Sequence, residues 1–161
     1  MSHKRSITKI VKCLAIILPT FFIQTLYAQQ TNTKPHNPVI EGWYADPEGV
    51  IFGNKYWIFP TYSAKYRQQV FLDAFSSTDM VTWEKHPRII DTSIIKWAYM
   101  AIWAPSIVKK DNKYFLFFSA NDIQSKARNG VKDDTLGGIG IAVADKPGGP
   151  YKDHLGKPLI N

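Results

Sequence analysis

The sequence predicts an all-β protein built from two repeated four-stranded units, and three observations support this. Short runs rich in β-branched and aromatic residues are separated by turn residues, as at positions 53–54 and 111–112. No window of a dozen residues has a 3.6-residue apolar period, so helix is at most a minor element. Finally, residues 47–63 are repeated 58 positions further on, by residues 105–121.

The repeat predicts the architecture. In a gap-free alignment Pro, Val, Asn, Lys and Tyr coincide, and Trp-Ile-Phe at 57–59 falls on Phe-Leu-Phe at 115–117. Each copy is followed by a second similar element, ending at residue 86 in one and at residue 154 in the other. A unit of about 60 residues with four strands has the size of a propeller blade, whose faces are buried only by neighbouring blades. We therefore predict a β-propeller with about two blades present, blade 1 at about 41–100 and blade 2 at about 101–161.

Composition and charge exclude other classes. The chain has 161 residues, of which 45% are hydrophobic and 20% charged, which excludes a disordered chain. Its net charge is +7, but residues 1–28 contain four basic residues and no carboxylate. The rest of the chain is therefore nearly neutral, and nucleic acid is not an expected partner.

Residues 1–28 have the three-part pattern of a secretory signal peptide. A basic start is followed by the apolar run 13–23 and by a short segment that ends at Ala28. The run is too short for a membrane anchor, so we expect cleavage after Ala28, export to the periplasm or the exterior, and no membrane attachment afterwards. Cys13, the only cysteine, lies in this segment, which leaves no disulfide or thiolate site. Polar residues 29–38 are expected to form an exposed lead-in to the propeller at 39–161.

Three motifs then point to a family. They are Trp-Tyr-Ala-Asp-Pro at 43–47, Ile-Trp-Ala-Pro-Ser-Ile at 102–107, and the glycine- and proline-bearing segment 138–151. Together they resemble family 43 glycoside hydrolases, which are five-bladed β-propellers that act mainly on arabinose- and xylose-containing plant polysaccharides. The resemblance implies an exported α-L-arabinofuranosidase or β-xylosidase.

The resemblance also implies an inverting mechanism with Asp46 as the general base. Such a mechanism needs a carboxylate that deprotonates water and a carboxylic acid that protonates the leaving oxygen. In the family, the general-acid Glu and an orienting Asp lie on later blades, beyond Asn161. We therefore expect this chain to be an amino-terminal fragment that is inactive alone. The alternative role for Asp46 is to start a turn before Pro47.

Three residues are predicted to bind substrate. Trp103 is expected to start the second blade where Asp46 starts the first, and the resemblance suggests that residues 102–105 line the subsite for the terminal sugar. An indole face stacks well on the apolar face of a sugar ring, which also makes Trp43 a candidate. Asn121 follows the second hairpin and is predicted to reach a substrate hydroxyl. The weaker candidates are Tyr44, Trp97, Tyr99, Ser119 and Asp122. For the three aromatic residues among them, a role in core packing is an equally good interpretation.

We expect no metal site and no cofactor in this chain. Its four histidines have no partners at metal-ligand spacing, although the resemblance allows a calcium ion in the channel of a complete propeller. The expected partner is an oligosaccharide or polysaccharide. Two alternatives stay open. One is a retaining fructan-cleaving propeller enzyme, whose Asn-Asp-Pro-Asn-Gly motif is similar in part to residues 45–49, and the other is a carbohydrate-binding propeller without catalysis.

Overall fold

The computed structural model describes residues 34–121 and 137–160, which contain two four-stranded antiparallel sheets. The first blade is formed by β1 (Tyr44–Phe52), β2 (Lys55–Tyr62), β3 (Phe71–Ser77) and β4 (Glu84–Asp91). The second is formed by β5 (Trp103–Lys110), β6 (Lys113–Ala120), β7 (Gly138–Ala144) and β8 (Lys152–Asp153). Strand order follows chain order in both sheets. The prediction of an all-β fold with two four-stranded blades is confirmed.

The innermost hairpins of both blades close through two-residue turns. Gly53 has a φ of 63°, and Asp111 and Asn112 have φ values of 49° and 60°. Two-residue hairpin turns favour this left-handed conformation because it matches the twist of the flanking strands. The register repeats as well, since Val50 lies opposite Trp57 and Val108 lies opposite Phe115.

One apolar core lies between the two blades. The alternating residues Trp57 and Phe59 of β2 point toward the second blade, and Leu116 and Phe118 of β6 point back toward the first; all four are buried in one cluster. This follows from the two-residue period of a strand, which puts every other side chain on the same face. The faces that neighbouring blades present to each other are therefore set by sequence alternation.

The segment between β7 and β8 also packs on the first blade. The amide of Tyr151 donates to the carbonyl of Ile89 at 2.8 Å, and the Tyr151 hydroxyl donates to the carbonyl of Pro147 at 3.0 Å. Burial raises the pKa of Tyr151 well above its usual value. A Cβ at Gly148 would lie 2.7 Å from Nδ1 of His86, so only glycine fits there without displacing the ring. This contact joins the outer strands of the two blades.

The predicted signal peptide, the first half of the lead-in (29–33) and Asp122 lie outside the described residues. Residues 34–38, the end of the lead-in, are exposed. Within 34–121 and 137–160, no helix has the length and apolar character needed to cross a membrane. One short 3-10 turn, Tyr66–Gln68, precedes β3.

Candidate active site

Asp46 lies in a β-bulge at the start of β1. Ala45 is opposite Thr61 and Glu48 is opposite Phe59, so two residues of β1, Asp46 and Pro47, have no matching partner in β2. Asp46 has a φ of 47° and an exposed side chain. Bulges re-aim side chains out of the regular alternation of a strand. The bulge therefore presents this carboxylate to solvent at the inner edge of the blade.

The second blade has the same bulge. Trp103 lies opposite Ser119 and Ser106 lies opposite Phe117, and Ala104 between them has a φ of 46°. The residue equivalent to Asp46 is therefore Ala104. This corrects the prediction that Trp103 starts the second blade where Asp46 starts the first: Trp103 corresponds to Ala45, one residue earlier in the bulge.

The Asp46 carboxylate is chemically accessible. Among the described residues it forms neither a hydrogen bond nor an ion pair, and its side chain is exposed. A carboxylate in this state is able to accept a proton from a water molecule in reach of its oxygens. The arrangement thus permits the role of general base, which stays a prediction.

The two bulges are held close together by contacts between the blades. The amide of Ala104 donates to Oγ1 of Thr61 at 2.7 Å, and the amide of Ile107 donates to Oε1 of Glu48 at 3.1 Å. Thr61 is only 2% exposed. The start of β5 is therefore bonded directly to β1, the strand that contains Asp46, and to β2 beside it.

A buried carboxylate anchors the start of β1 from the opposite face. The Tyr44 hydroxyl and the Lys85 ammonium both donate to Oδ2 of Asp73 at 2.8 Å, and the amide of Arg88 donates to Oδ1 at 2.7 Å. Burial raises the pKa of Tyr44, and the hydrogen bond to Asp73 raises the pKa of Lys85. Because Tyr44 also packs edge-on against Phe75 at 5.2 Å, its role in the described residues is structural.

Trp43 and Trp103 differ in exposure. Trp43 is 79% exposed and lines an open groove of about 590 Å³ together with Tyr62, Lys65 and Gln68. Trp103 is half-buried at the start of β5. Trp43, just before β1, therefore presents most of its side chain to the solvent, whereas Trp103 presents a smaller part.

Asn121 is placed differently from the prediction. It is 1% exposed, its Oδ1 accepts from the amide of Tyr99 at 2.9 Å, and its Nδ2 donates to the carbonyl of Trp97 at 2.8 Å. We correct its role to that of a residue that holds the loop before β5, since its polar atoms are bonded to that loop. Trp97 stacks on Phe118 with ring centroids 5.9 Å apart and, partly buried, packs against the core.

The described residues do not bring together a metal site. Within residues 34–121 and 137–160, no three His, Cys, Asp or Glu side chains lie close enough to hold an ion. His86 instead packs on Trp57, with ring centroids 4.8 Å apart, and shares a hydrogen bond with Ser76.

The model of glycosyl hydrolases family 43 matches residues 35–160, which include both blades and both bulges. This chain belongs to glycoside hydrolase family 43. The expected resemblance is confirmed.

Curated relatives carry enzyme names. The chain is 46% identical over 149 residues to a β-D-galactofuranosidase of Aspergillus niger, with 86% of this chain and 41% of the relative covered. It is 32% identical over 130 residues to a xylosidase/arabinosidase of Humicola insolens, with 71% and 36% covered. The chain thus spans less than half the length of the curated relatives it matches.

Solved structures share the fold. A family 43 β-xylosidase/α-arabinofuranosidase from a compost metagenome, in complex with xylotriose, matches with a TM-score of 0.62 and 25% identity, covering 78% of this chain and 38% of that one. A family 43 enzyme of Xanthomonas citri in complex with xylose matches with a TM-score of 0.63 and 21% identity, covering 75% and 34%. The second match supports the fold alone.

The sequence analysis missed Glu48 and Thr61. Both are polar residues in strands whose neighbouring alternate residues are apolar: Val50 follows Glu48 on its face, and Phe59 precedes Thr61. The signal in the sequence was a polar residue on the same strand face as apolar residues. Such a residue is expected to have a hydrogen-bond partner, because a buried hydroxyl or carboxylate needs one.

Proposed function

We propose that this chain forms the first two blades of an exported inverting glycoside hydrolase in which Asp46 is the general base. The observation that carries the proposal is the exposed carboxylate of Asp46 in the bulge of β1, which has no hydrogen-bond or ion-pair partner within residues 34–121 and 137–160. Membership of the family supports glycoside hydrolysis as the reaction. In the proposed protein, later blades supply the acid and close the channel around the substrate.

In the proposed reaction, Asp46 removes a proton from a water molecule as the water oxygen attacks the anomeric carbon. The bond from that carbon to the leaving oxygen breaks on the opposite face, and a carboxylic acid from a later blade protonates the leaving oxygen. The two carboxyl groups of an inverting enzyme lie roughly 6.5–9.5 Å apart so that the water fits between. Each turnover therefore consumes one water and inverts the anomeric configuration.

The proposed substrates are terminal pentose or furanose residues of plant-type polysaccharides. The curated relatives are named for β-galactofuranosides and for xylosides and arabinosides. The ring of an α-L-arabinofuranoside and that of a β-D-galactofuranoside have the same configuration, so one pocket accepts both. We place an α-L-arabinofuranoside first, with the β-D-galactofuranoside and the β-D-xyloside as the other members of the test panel.

The exposed Trp43 and the half-buried Trp103 have separate roles in this proposal. Trp103 starts the strand next to Asp46 and stacks on the sugar that is cleaved. Trp43, with its open groove, stacks on a sugar further along the chain. Indole rings suit both positions because they cover the apolar faces of sugars at a low entropic cost.

Asp46→Asn in the full-length protein tests the proposal. We expect kcat for an aryl α-L-arabinofuranoside to fall by about 10²–10⁴-fold, because the amide cannot accept the proton of the attacking water. The folded structure is expected to be retained, since Asn tolerates a positive φ well. Initial-rate assays measure the loss, and proton NMR of the first product formed by the wild type reports inversion.

Asp111→Asn is the matched control. Asp111 is also an exposed aspartate with a positive φ, of 49°, but it lies in the hairpin turn at the far end of β5. We expect it to keep wild-type kcat. Unchanged turnover in Asp46→Asn would exclude Asp46 as the base, and a retained anomer would instead favour the fructan-cleaving type of mechanism.

A further inference from the structure

The two bulges are joined by a hydrogen bond across the blade interface. Ala104 lies in the bulge of β5, outside the register of β5 with β6, and its amide donates to Oγ1 of Thr61 at 2.7 Å. Thr61 lies opposite Ala45, the residue before Asp46. A hydroxyl opposite the first bulge thus accepts from the main chain of the second.

A second hydrogen bond holds the other end of the first bulge. Glu48 resumes the regular pairing of β1 after the bulge, and its Oε1 accepts from the amide of Ile107 at 3.1 Å. Carboxylate acceptors form stronger hydrogen bonds with main-chain amides than neutral acceptors do. Thr61 and Glu48 therefore contact β5 on both sides of Asp46.

These bonds constrain the interface in a way that its apolar residues do not. Trp57 and Phe59 fill the space between the blades, but contacts between apolar surfaces are non-directional. Hydrogen bonds weaken steeply when their angle or length changes. The two polar contacts, which lie three residues apart on β5, therefore constrain the position of β1 and β2 relative to β5.

We infer that Thr61 and Glu48 are positioning residues, which hold the Asp46 carboxylate at a fixed place relative to Trp103 and so align the attacking water with the sugar. This inference rests on the proposed role of Asp46 as the base. Small displacements at such a site are costly, since a misplacement of about 1 Å can lower the rate by about 10²-fold. Neither residue contacts the substrate in this arrangement.

The first test compares Thr61→Val with Thr61→Ser in the full-length protein. Valine keeps the shape of threonine and removes the acceptor, whereas serine keeps the hydroxyl. We expect Thr61→Val to lower kcat by about 10- to 100-fold with KM changed less than about threefold, and Thr61→Ser to keep most of the activity. Initial rates with an aryl α-L-arabinofuranoside give both constants, and thermal denaturation verifies folding.

The second test uses Glu48 in the same way. Glu48→Gln keeps an oxygen that accepts from Ile107, so we expect nearly wild-type kcat, whereas Glu48→Met removes the acceptor and is expected to lower kcat by about tenfold. If Thr61→Val does not fold, this pair alone decides the question.

Several results would overturn the inference. One is wild-type kcat in both Thr61→Val and Glu48→Met. Equal losses in Thr61→Val and Thr61→Ser are another, because the hydroxyl would then be irrelevant. A rise in KM at constant kcat is a third, since it indicates a binding role. Full activity in Asp46→Asn overturns the proposed function itself, so the two failures are distinguishable.

Discussion

The two blades have nearly the same backbone at their inner edges but different chemistry. Asp46 and Ala104 occupy equivalent bulges with φ values of 47° and 46°, and each is followed by proline. Only the first bulge carries a carboxylate. The same bulged backbone therefore accommodates either residue. The proposed reaction depends on which side chain occupies this one position of the bulge.

The blades also differ in how well equivalent rings are covered. Phe59 of β2 is fully buried against the second blade, whereas Phe117, its equivalent 58 positions later in β6, is half-buried. Val108, which lies opposite Phe115 in the same sheet, is exposed. The strand pattern is the same in both blades, so the difference in burial between Phe59 and Phe117 comes from what packs on each ring. Phe59 packs against the second blade, whereas no further blade packs on Phe117 among the described residues.

The largest effect is expected when these two rings are truncated. In the 161-residue chain, Phe59→Ala is expected to lower the free energy of unfolding by about 3–5 kcal/mol, because it leaves a cavity in the core. Phe117→Ala is expected to cost at most about half of that. Urea denaturation of both variants measures the difference.

The same pair tests whether a third blade follows. In a longer protein whose third blade covers Phe117, the two substitutions are expected to cost about the same. Equal losses in the 161-residue chain would contradict the difference in burial between the two rings.

The two blades also differ on the faces opposite to those of Phe59 and Phe117. Leu72 lies opposite Thr61 and Ile139 lies opposite Ser119, so the next residues, Asp73 and Gly140, are equivalent. Asp73 binds Tyr44, Lys85 and the amide of Arg88, while Gly140 leaves room for two aromatic rings. The same position thus holds a buried carboxylate with polar partners in the first blade and a glycine, packed against aromatic rings, in the second.

Gly140→Ala is expected to have an intermediate effect. A Cβ there would lie 2.4 Å from Cζ of Phe118 and 2.6 Å from Cζ2 of Trp97, so the rings must shift. We expect a loss of about 1–3 kcal/mol in the free energy of unfolding. Gly49→Ala is the control, since nothing lies within 4 Å of its added Cβ. A loss of the same size in Gly49→Ala would show that strand glycines in general, and not this contact, cause the effect.

The smallest effect concerns two histidines that pack on equivalent rings. His86 lies on Trp57 at 4.8 Å and His154 lies on Phe115 at 5.9 Å. Burial lowers the pKa of His86 below its usual 6.5. The unfolded chain therefore binds more protons between the two pKa values, and stability is expected to fall as the pH drops from 6.5 toward the folded-state pKa.

His86→Gln is expected to reduce this pH dependence, and His154→Gln, at an exposed site, is expected to keep it. Thermal midpoints between about pH 5 and 8 measure the effect. An unaltered slope in His86→Gln would assign the dependence to other groups.

Much of the fold could be predicted from the sequence because it depends on local patterns. The alternation of apolar residues predicted the strands, the two-residue turn segments predicted the hairpins, and the 58-residue offset predicted the repeat. The assignment of Trp103 to the position of Asp46 was an error of alignment, because the 58-residue offset pairs Asp46 with Ala104. The bulge itself could not be predicted, since it is visible only in the register of β1 with β2 and of β5 with β6.

The site could be predicted only in part. Asp46 could be proposed as the base because its motif is local, and this role stays a prediction. The contacts of Thr61 and Asn121, in contrast, involve partners 43 and 22 residues away in sequence. Such contacts follow from how the blades and loops pack, which no spacing within one strand reveals. Buried polar residues of this kind are identified from the three-dimensional structure.

The bonds from β5 to Thr61 and Glu48 have a consequence for self-association. An edge strand of a sheet has free main-chain amides that can pair with a strand of another molecule, which leads to ordered aggregates. Between residues 104 and 107, the amides of Ala104 and Ile107 are already used by the first blade, and Pro105 has no amide hydrogen. This stretch of border is therefore a poor template for ordered aggregates, even where the neighbouring apolar surface is uncovered.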